Sequence, residues 1–125
     1  MDRNLHPTFG NGKICYIEIA ATDITQSANF YKAALGWQIR PNSVNDISFD
    51  DAVCEVSGRW VTGRKPSTAD GLLIYIMVDD VAATIELIIA NGGTITQPIG
   101  MDAPEITARF SDPAGNIMGL YQHPS

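Results

Sequence analysis

The sequence predicts an α+β domain assembled from one module used twice, and three observations carry that reading. Residues 16–39 lie on residues 73–96 without a gap, strand pattern on strand pattern and helix pattern on helix pattern. Each copy then has an aspartate placed to cap its helix, Asp23 in one and Asp79 or Asp80 in the other, and a glycine stop at Gly36 or Gly92-Gly93. The opening segment of each copy alternates, with Cys15, Ile17, Ile19 and Ala21 on one face and Leu72, Ile74, Ile76 and Val78 on the other copy's equivalent. A repeated unit cannot bury its apolar face alone, so it packs with its copy. Paired modules of this kind predict a cup-shaped site between them.

Taken in order, residues 1–12 read as an irregular arm, polar and interrupted by Pro7, Gly10 and Gly12. A strand follows over 13–21. Asp23 and Gln26 have the spacing of a capping box, and the helix after them carries Ala28, Tyr31, Ala34 and Leu35 on one stripe. A short return strand covers 37–41. Alternation predicts further strands at 47–49, 53–56 and 59–62, the last after a turn at Ser57-Gly58. Residues 63–71 have loop composition and link a first module, about 13–62, to a second, about 72–125. The second helix carries Val81, Ile85, Ile88 and Ile89, and strands follow at 94–97, 105–111 and 116–121. Asp112-Pro113-Ala114-Gly115 is the turn before the last strand, since proline and glycine serve turn geometry.

Bulk properties narrow the function classes. A chain of 125 residues with 45% hydrophobic and 18% charged residues is an ordinary single globular domain. No apolar run approaches the roughly 20 residues that span a bilayer, and the N-terminal residues lack an apolar signal core. A cytoplasmic protein with no membrane partner is expected, with Cys15 and Cys54 as buried thiols rather than a bridge. The net charge of −6 and the few scattered basic residues disfavour nucleic acid as a partner. The one basic cluster is Arg59, Arg64 and Lys65. Nucleophile elbows, P-loops, paired Cys-x-x-Cys and dinucleotide fingerprints are all missing.

Three motifs together resemble a known superfamily. Asp23 through Gly36 follows the pattern D-x-x-x-(S/A)-x-x-F-Y-x-x-x-L-G; Val78-Asp79-Asp80-Val81 is joined to Asn91-Gly92-Gly93; and Phe110-Ser111-Asp112-Pro113-Ala114-Gly115-Asn116 precedes the last strand. In order and spacing the chain is similar to the vicinal oxygen chelate superfamily of glyoxalase I, bleomycin-resistance proteins, fosfomycin-resistance enzymes and extradiol dioxygenases. The resemblance implies two βαβββ modules curling into a cup, commonly as a homodimer. It also implies divalent-metal positions on set strands, and three of these fall on Tyr16, Leu73 and Gly119, with a fourth within 59–62. Leucine and glycine side chains have no lone pair to offer, and a tyrosine binds metal only as phenolate, against an ordinary pKa of about 10. The resemblance therefore implies a member without the metal centre and without another cofactor.

Glu18 is the strongest functional candidate, as a hydrogen-bond acceptor for a ligand or as a base; alternatively it satisfies itself on Arg59, Arg109 or a tyrosine hydroxyl. Tyr16, Tyr75 and Trp60 offer flat apolar surface to a ligand, or belong to a core or dimer interface. Arg109 could grip an anionic group bidentately or neutralise a glutamate, and Tyr121 shares the face of Gly119, where a missing side chain would open room. His6 and His123, both near chain ends, are expected to be solvated. The preferred expectation is a binding protein for a small amphipathic or aromatic molecule. The alternatives are a metal-dependent lyase, isomerase or dioxygenase using Glu18 as ligand or base, and a non-catalytic interaction subunit.

Overall fold

The computed structural model describes residues 6–43 and 45–124; the first five residues of the expected arm lie outside them. The first module comprises β1 (Tyr16–Ala20), α1 (Ile24–Leu35), β2 (Gln38–Ser43), β3 (Asp46–Asp50) and β4 (Ser57–Val61). The second comprises β5 (Tyr75–Val78), α2 (Val81–Ala90), β6 (Thr94–Gln97), β7 (Thr107–Ser111) and β8 (Ile117–Gln122). Each module is βαβββ, and each folds into a four-stranded mixed sheet, in the order β1-β4-β3-β2 and β5-β8-β7-β6. The opening strand of each runs parallel to the last, and the other neighbours are antiparallel. No helix among the described residues is long and apolar enough to cross a membrane.

Local chemistry sets the helix ends as the motifs predict. The Asp23 carboxylate accepts from the Gln26 amide at 3.0 Å, and Asp80, not Asp79, does the same for Ala83 at 3.0 Å. Gly36 ends α1 at φ 71°, where its amide donates to the Lys32 carbonyl at 3.1 Å. Gly93 serves a different purpose. A Cβ there would lie 2.6 Å from Ile88 and 2.9 Å from Phe30, so its bareness lets the two helices close together.

Several expectations are corrected. Residues 13–15 and 72–74 alternate but stand outside the strands; the partner of the first begins only at Ser57. The strand expected at 53–56 is a turn. There the Asp51 carboxylate accepts from the Glu55 amide at 2.8 Å, and Cys54 adopts φ 60°. Ile89 is 56% exposed, because the buried stripe of α2 runs through Val81, Thr84 and Ile88 instead. Cys15 and Cys54 are free thiols, but the first is exposed and the second only half-buried.

One core unites the modules. Tyr31, Trp37, Phe49 and Trp60 form a run of ring contacts beneath the first sheet, with centroids 4.6–5.8 Å apart. Phe30 reaches across to Phe110 at 5.9 Å. Polar bonds then fix the relation of the halves. The Tyr31 hydroxyl donates to Asp112 at 2.7 Å, and Asn116 donates to Asp112 and to the Ala20 carbonyl, each at 2.8 Å. Asp112 also accepts from the Ala114 and Asn116 amides, so this buried carboxylate is fully satisfied. Burial, the Asp112 charge and the hydrogen bond hold the Tyr31 phenol protonated, well above the ordinary range.

Candidate functional site

Strands β1 and β5 are both sheet edges, and the space between them divides into two adjoining chambers. The larger has a volume of about 770 Å³ and is walled chiefly by Ile17, Ile19, Trp37, Phe49, Ile76 and Met118. Its polar boundary is Asp51, Asp79, Asp80 and His123. The smaller, about 190 Å³, is bordered by Glu18, Arg64, Lys65 and Ser67. Ile17, Ile19, Ile74 and Met118 line both. Tyr75 and Met77, on the face of β5 that is mixed in polarity, also line the larger chamber, and Glu18 on the corresponding face of β1 lines the smaller. The larger chamber borders the apolar face of β1, continuous with the helix layer.

Beyond these chamber contacts, the mixed faces of the two sheets differ. On the first sheet, Glu18 lies opposite Arg59, which lies opposite Ser48, which lies opposite Arg40. Glu18 accepts from Arg59 Nε at 3.1 Å and from Arg64 of the linker at 2.6 Å. Those two hydrogen bonds, Arg64 first, hold its carboxyl below the ordinary range. An acid so held is a weak base at neutral pH, which counts against Glu18 as a catalytic base. Arg40 is paired in turn with Asp50 at 3.0 Å.

On the second sheet, Tyr75, Gly119 and Arg109 lie opposite one another, and Tyr121 is two residues along the same face. A Cβ on Gly119 would fall 2.5 Å from the Tyr75 ring. The room expected at Gly119 is thus occupied by that ring. The Arg109 Nε is buried and makes no hydrogen bond among the described residues. Tyr121 is paired with Glu105, whose charge raises the phenol above its usual range.

The structure thus brings Tyr75, Arg109 and Tyr121 onto one face and Tyr16 and Glu18 onto the other sheet's equivalent. Trp60 takes the core alternative, only 2% exposed. Of the expected ligand residues, Tyr75 lines the larger chamber and Glu18 the smaller. Sequence reasoning missed His123, which lies at the edge of the larger chamber and pairs with Asp79 at 2.6 Å. It also missed Arg64, whose role depends on a linker folding back over β1. The basic cluster at 59–65 was the available signal. His6 is held too, by Glu55 at 2.7 Å.

The superfamily's metal requires several oxygen or nitrogen donors converging on one point. Tyr16, Leu73 and Gly119 do not supply them, β4 offers only Ser57, Arg59 and Val61 on that face, and Glu18 is engaged by two guanidinium groups. Among the described residues no group of three or more His, Cys, Asp or Glu side chains could hold a metal ion. The donor set does not fit the metal.

Comparison with known proteins agrees with this geometry at the level of the fold. A family described as glyoxalase-like domain matches residues 16–120. A "Glyoxylase-like domain-containing protein" of Didymella fabae is 28% identical over 130 residues, covering 91% of this chain and 96% of that protein. A "Probable lactoylglutathione lyase" of Vibrio parahaemolyticus is 30% identical over 128 residues, covering 90% and 92%. CFP32 of Mycobacterium tuberculosis, 27% identical over 117 residues and 86% of this chain, is longer, and the chain spans 44% of it. A glyoxalase/bleomycin resistance protein/dioxygenase family enzyme from Burkholderia phytofirmans superposes with a TM-score of 0.72 at 18% identity, over 86% of this chain and 95% of that one. With its duplicated βαβββ architecture and a family match over most of its length, the chain belongs to the glyoxalase-like domain family of the vicinal oxygen chelate superfamily.

Proposed function

We propose that this protein binds a small amphipathic or aromatic molecule between its modules, without a resident metal. The observation that supports this most directly is the larger chamber, about 770 Å³ and walled by aliphatic and aromatic side chains. Its size falls among small-molecule sites, which are mostly apolar with a few polar groups to fix orientation. A homodimer belongs to the same proposal. Tyr75 and Met77 are exposed on one face of β5, and a second copy would cover them. A lyase reading has one support, the name of the Vibrio relative. The unfavourable donor set and the paired Glu18 weigh against it.

Fluorescence titration with a neutral naphthylamine probe tests the proposal. Saturable binding at one probe per chain is expected, and Ala83→Trp, which places an indole at the chamber wall, should weaken it at least tenfold. Binding that is absent, or that ignores the filled chamber, would overturn the reading. So would stoichiometric metal in protein purified without chelators that is lost in Glu18→Ala. Sedimentation equilibrium decides the dimer.

A further inference from the structure

The two chambers meet along Ile17, Ile19, Ile74 and Met118, but their polar borders carry opposite charge. The carboxylates of the larger chamber are already engaged. Asp79 holds His123, Asp80 caps α2 with one oxygen, and Asp51 accepts from Glu55. The cations of the smaller chamber are not engaged to the same degree. Arg64 uses one of its nitrogens on Glu18, and Lys65 makes no ion pair among the described residues. Glu18 is itself satisfied from its other oxygen by Arg59. The carboxylate therefore holds two guanidinium groups beside each other without cancelling their charge, and the excess is positive in a chain of net charge −6. A guanidinium carries five N–H donors in a planar fork, so Arg64 keeps donors for a second acceptor.

From this arrangement we infer that the ligand is an amphipathic anion. Its apolar body rests on the shared wall of Ile17, Ile74 and Met118, and its carboxylate or similar oxyanion docks on Arg64 with Lys65 beside it. The inference rests on the proposed function and deepens it, by assigning the smaller chamber as the headgroup site and Arg64 as its specificity residue. Glu18 has a positioning role: it fixes Arg64 over β1. The part of the molecule that carries Arg64 is the linker between modules, so the headgroup would bridge β1 and the segment at Ser67, which is bonded to Asn116 of the second module.

The experiment compares three probes with one apolar body, 2-naphthylacetate, 2-(2-naphthyl)ethanol and 2-(2-naphthyl)ethylamine, titrated against the full chain. The carboxylate should bind about tenfold tighter than the alcohol, the scale of one charge-assisted hydrogen-bonded contact, and the amine weakest. Arg64→Ala should bring the carboxylate to the level of the alcohol and leave the alcohol unchanged. Glu18→Gln removes a competing negative charge while keeping a hydrogen-bonding side chain, and should tighten the carboxylate only. Both sites are partly exposed, and circular dichroism checks that the variants fold. Equal binding of the three probes, or preference for the amine, would overturn the inference while leaving the apolar chamber as a site. No binding of any probe would remove the chamber reading and this inference together.

Discussion

The turn before the last strand of each module is built to one plan and put to two uses. In the second module the Asp112 amide donates to Asn116 and the Gly115 amide to Asp112, while the Asp112 side chain accepts from the Asn116 amide four residues on. In the first, the Asp51 amide donates to Val56, the Cys54 amide to Asp51, and the Asp51 side chain accepts from the Glu55 amide four residues on. Both turns place their fourth residue at positive φ, 96° for Gly115 and 60° for Cys54. What differs is where the turns point. Asp112 is buried against Tyr31 of the other module, whereas the 51–56 turn sits beside the larger chamber and holds the N-terminal arm through Glu55. A duplicated module can thus keep its turn geometry while one copy locks the halves together and the other remains at the surface.

The largest expected effect breaks the lock. Asp112→Ala would strand the Tyr31 hydroxyl and the Asn116 amide inside the core, at a cost of about 3–4 kcal/mol in chemical denaturation. Tyr31→Phe leaves Asp112 its other donors and should cost about 1–2 kcal/mol. The double variant Tyr31→Phe with Asp112→Asn should show coupling of about 1 kcal/mol or more, since the two side chains share one bond. The corresponding Asp51→Ala should cost less than Asp112→Ala, because its one side-chain bond to Glu55 lies near solvent. Equal losses at the two aspartates would mean that the lock contributes nothing special.

This contrast also explains what was legible in the sequence. The α+β class, the duplication, both helix caps and the glycine stop of α1 could be read because each depends on neighbours within a few residues. The Phe30-Tyr31 and Asp112 motifs were visible separately, but their hydrogen bond joins residues 81 apart in sequence, and no local pattern encodes it. The 53–56 turn was misread because Val53 and Val56 supply strand-like residues, while the deciding feature is an aspartate carboxylate bonded to a backbone amide. A site between the modules was expected, but its division into two chambers was not. The chambers arise from the separation of two sheet edges, β1 and β5, which is a property of module packing rather than of either strand. Arg64 escaped notice for a related reason, since a loop's composition does not say which strand it crosses.

A smaller effect compares the two turns at their left-handed positions. Gly115→Ala forces a side chain into φ 96°, while the new Cβ would meet Pro66 only in ordinary contact at 3.5–3.6 Å, so the strain is that of the backbone. It should cost about 1–2 kcal/mol. Cys54→Gly runs the other way: it relieves a non-glycine residue at φ 60° but gives up the Gln38 contact to sulfur at 3.1 Å and frees the unfolded chain. A net gain of about 0.5 kcal/mol is expected from thermal melts, small but opposite in sign. Destabilisation by both changes would show that Cys54 is held by its side chain and not merely tolerated there.

The smallest effect concerns the arm held by the first module's turn. Glu55 accepts from the Thr8 amide at 3.0 Å and from His6 at 2.7 Å, and the Lys13 ammonium lies 3.5 Å away. The Thr8 amide chiefly, then His6, lower its carboxyl from 4.5 to about 2. A carboxyl depressed by folding adds stability that is fully present above its unfolded value and is lost as pH falls through the folded one. Arm attachment should therefore be constant above about pH 5 and weaken progressively from there toward pH 2. Hydrogen exchange at the Thr8 amide, followed from pH 6 to pH 3 and corrected for intrinsic rates, reads this directly. Glu55→Gln should show the acid-state exchange already at pH 6 while the global melting temperature hardly changes, because the arm lies outside the core. If the arm of Glu55→Gln stayed as protected as the wild type, the turn would not be what holds it, and the division of labour between the two turns would have to be redrawn around the Asp112 side alone.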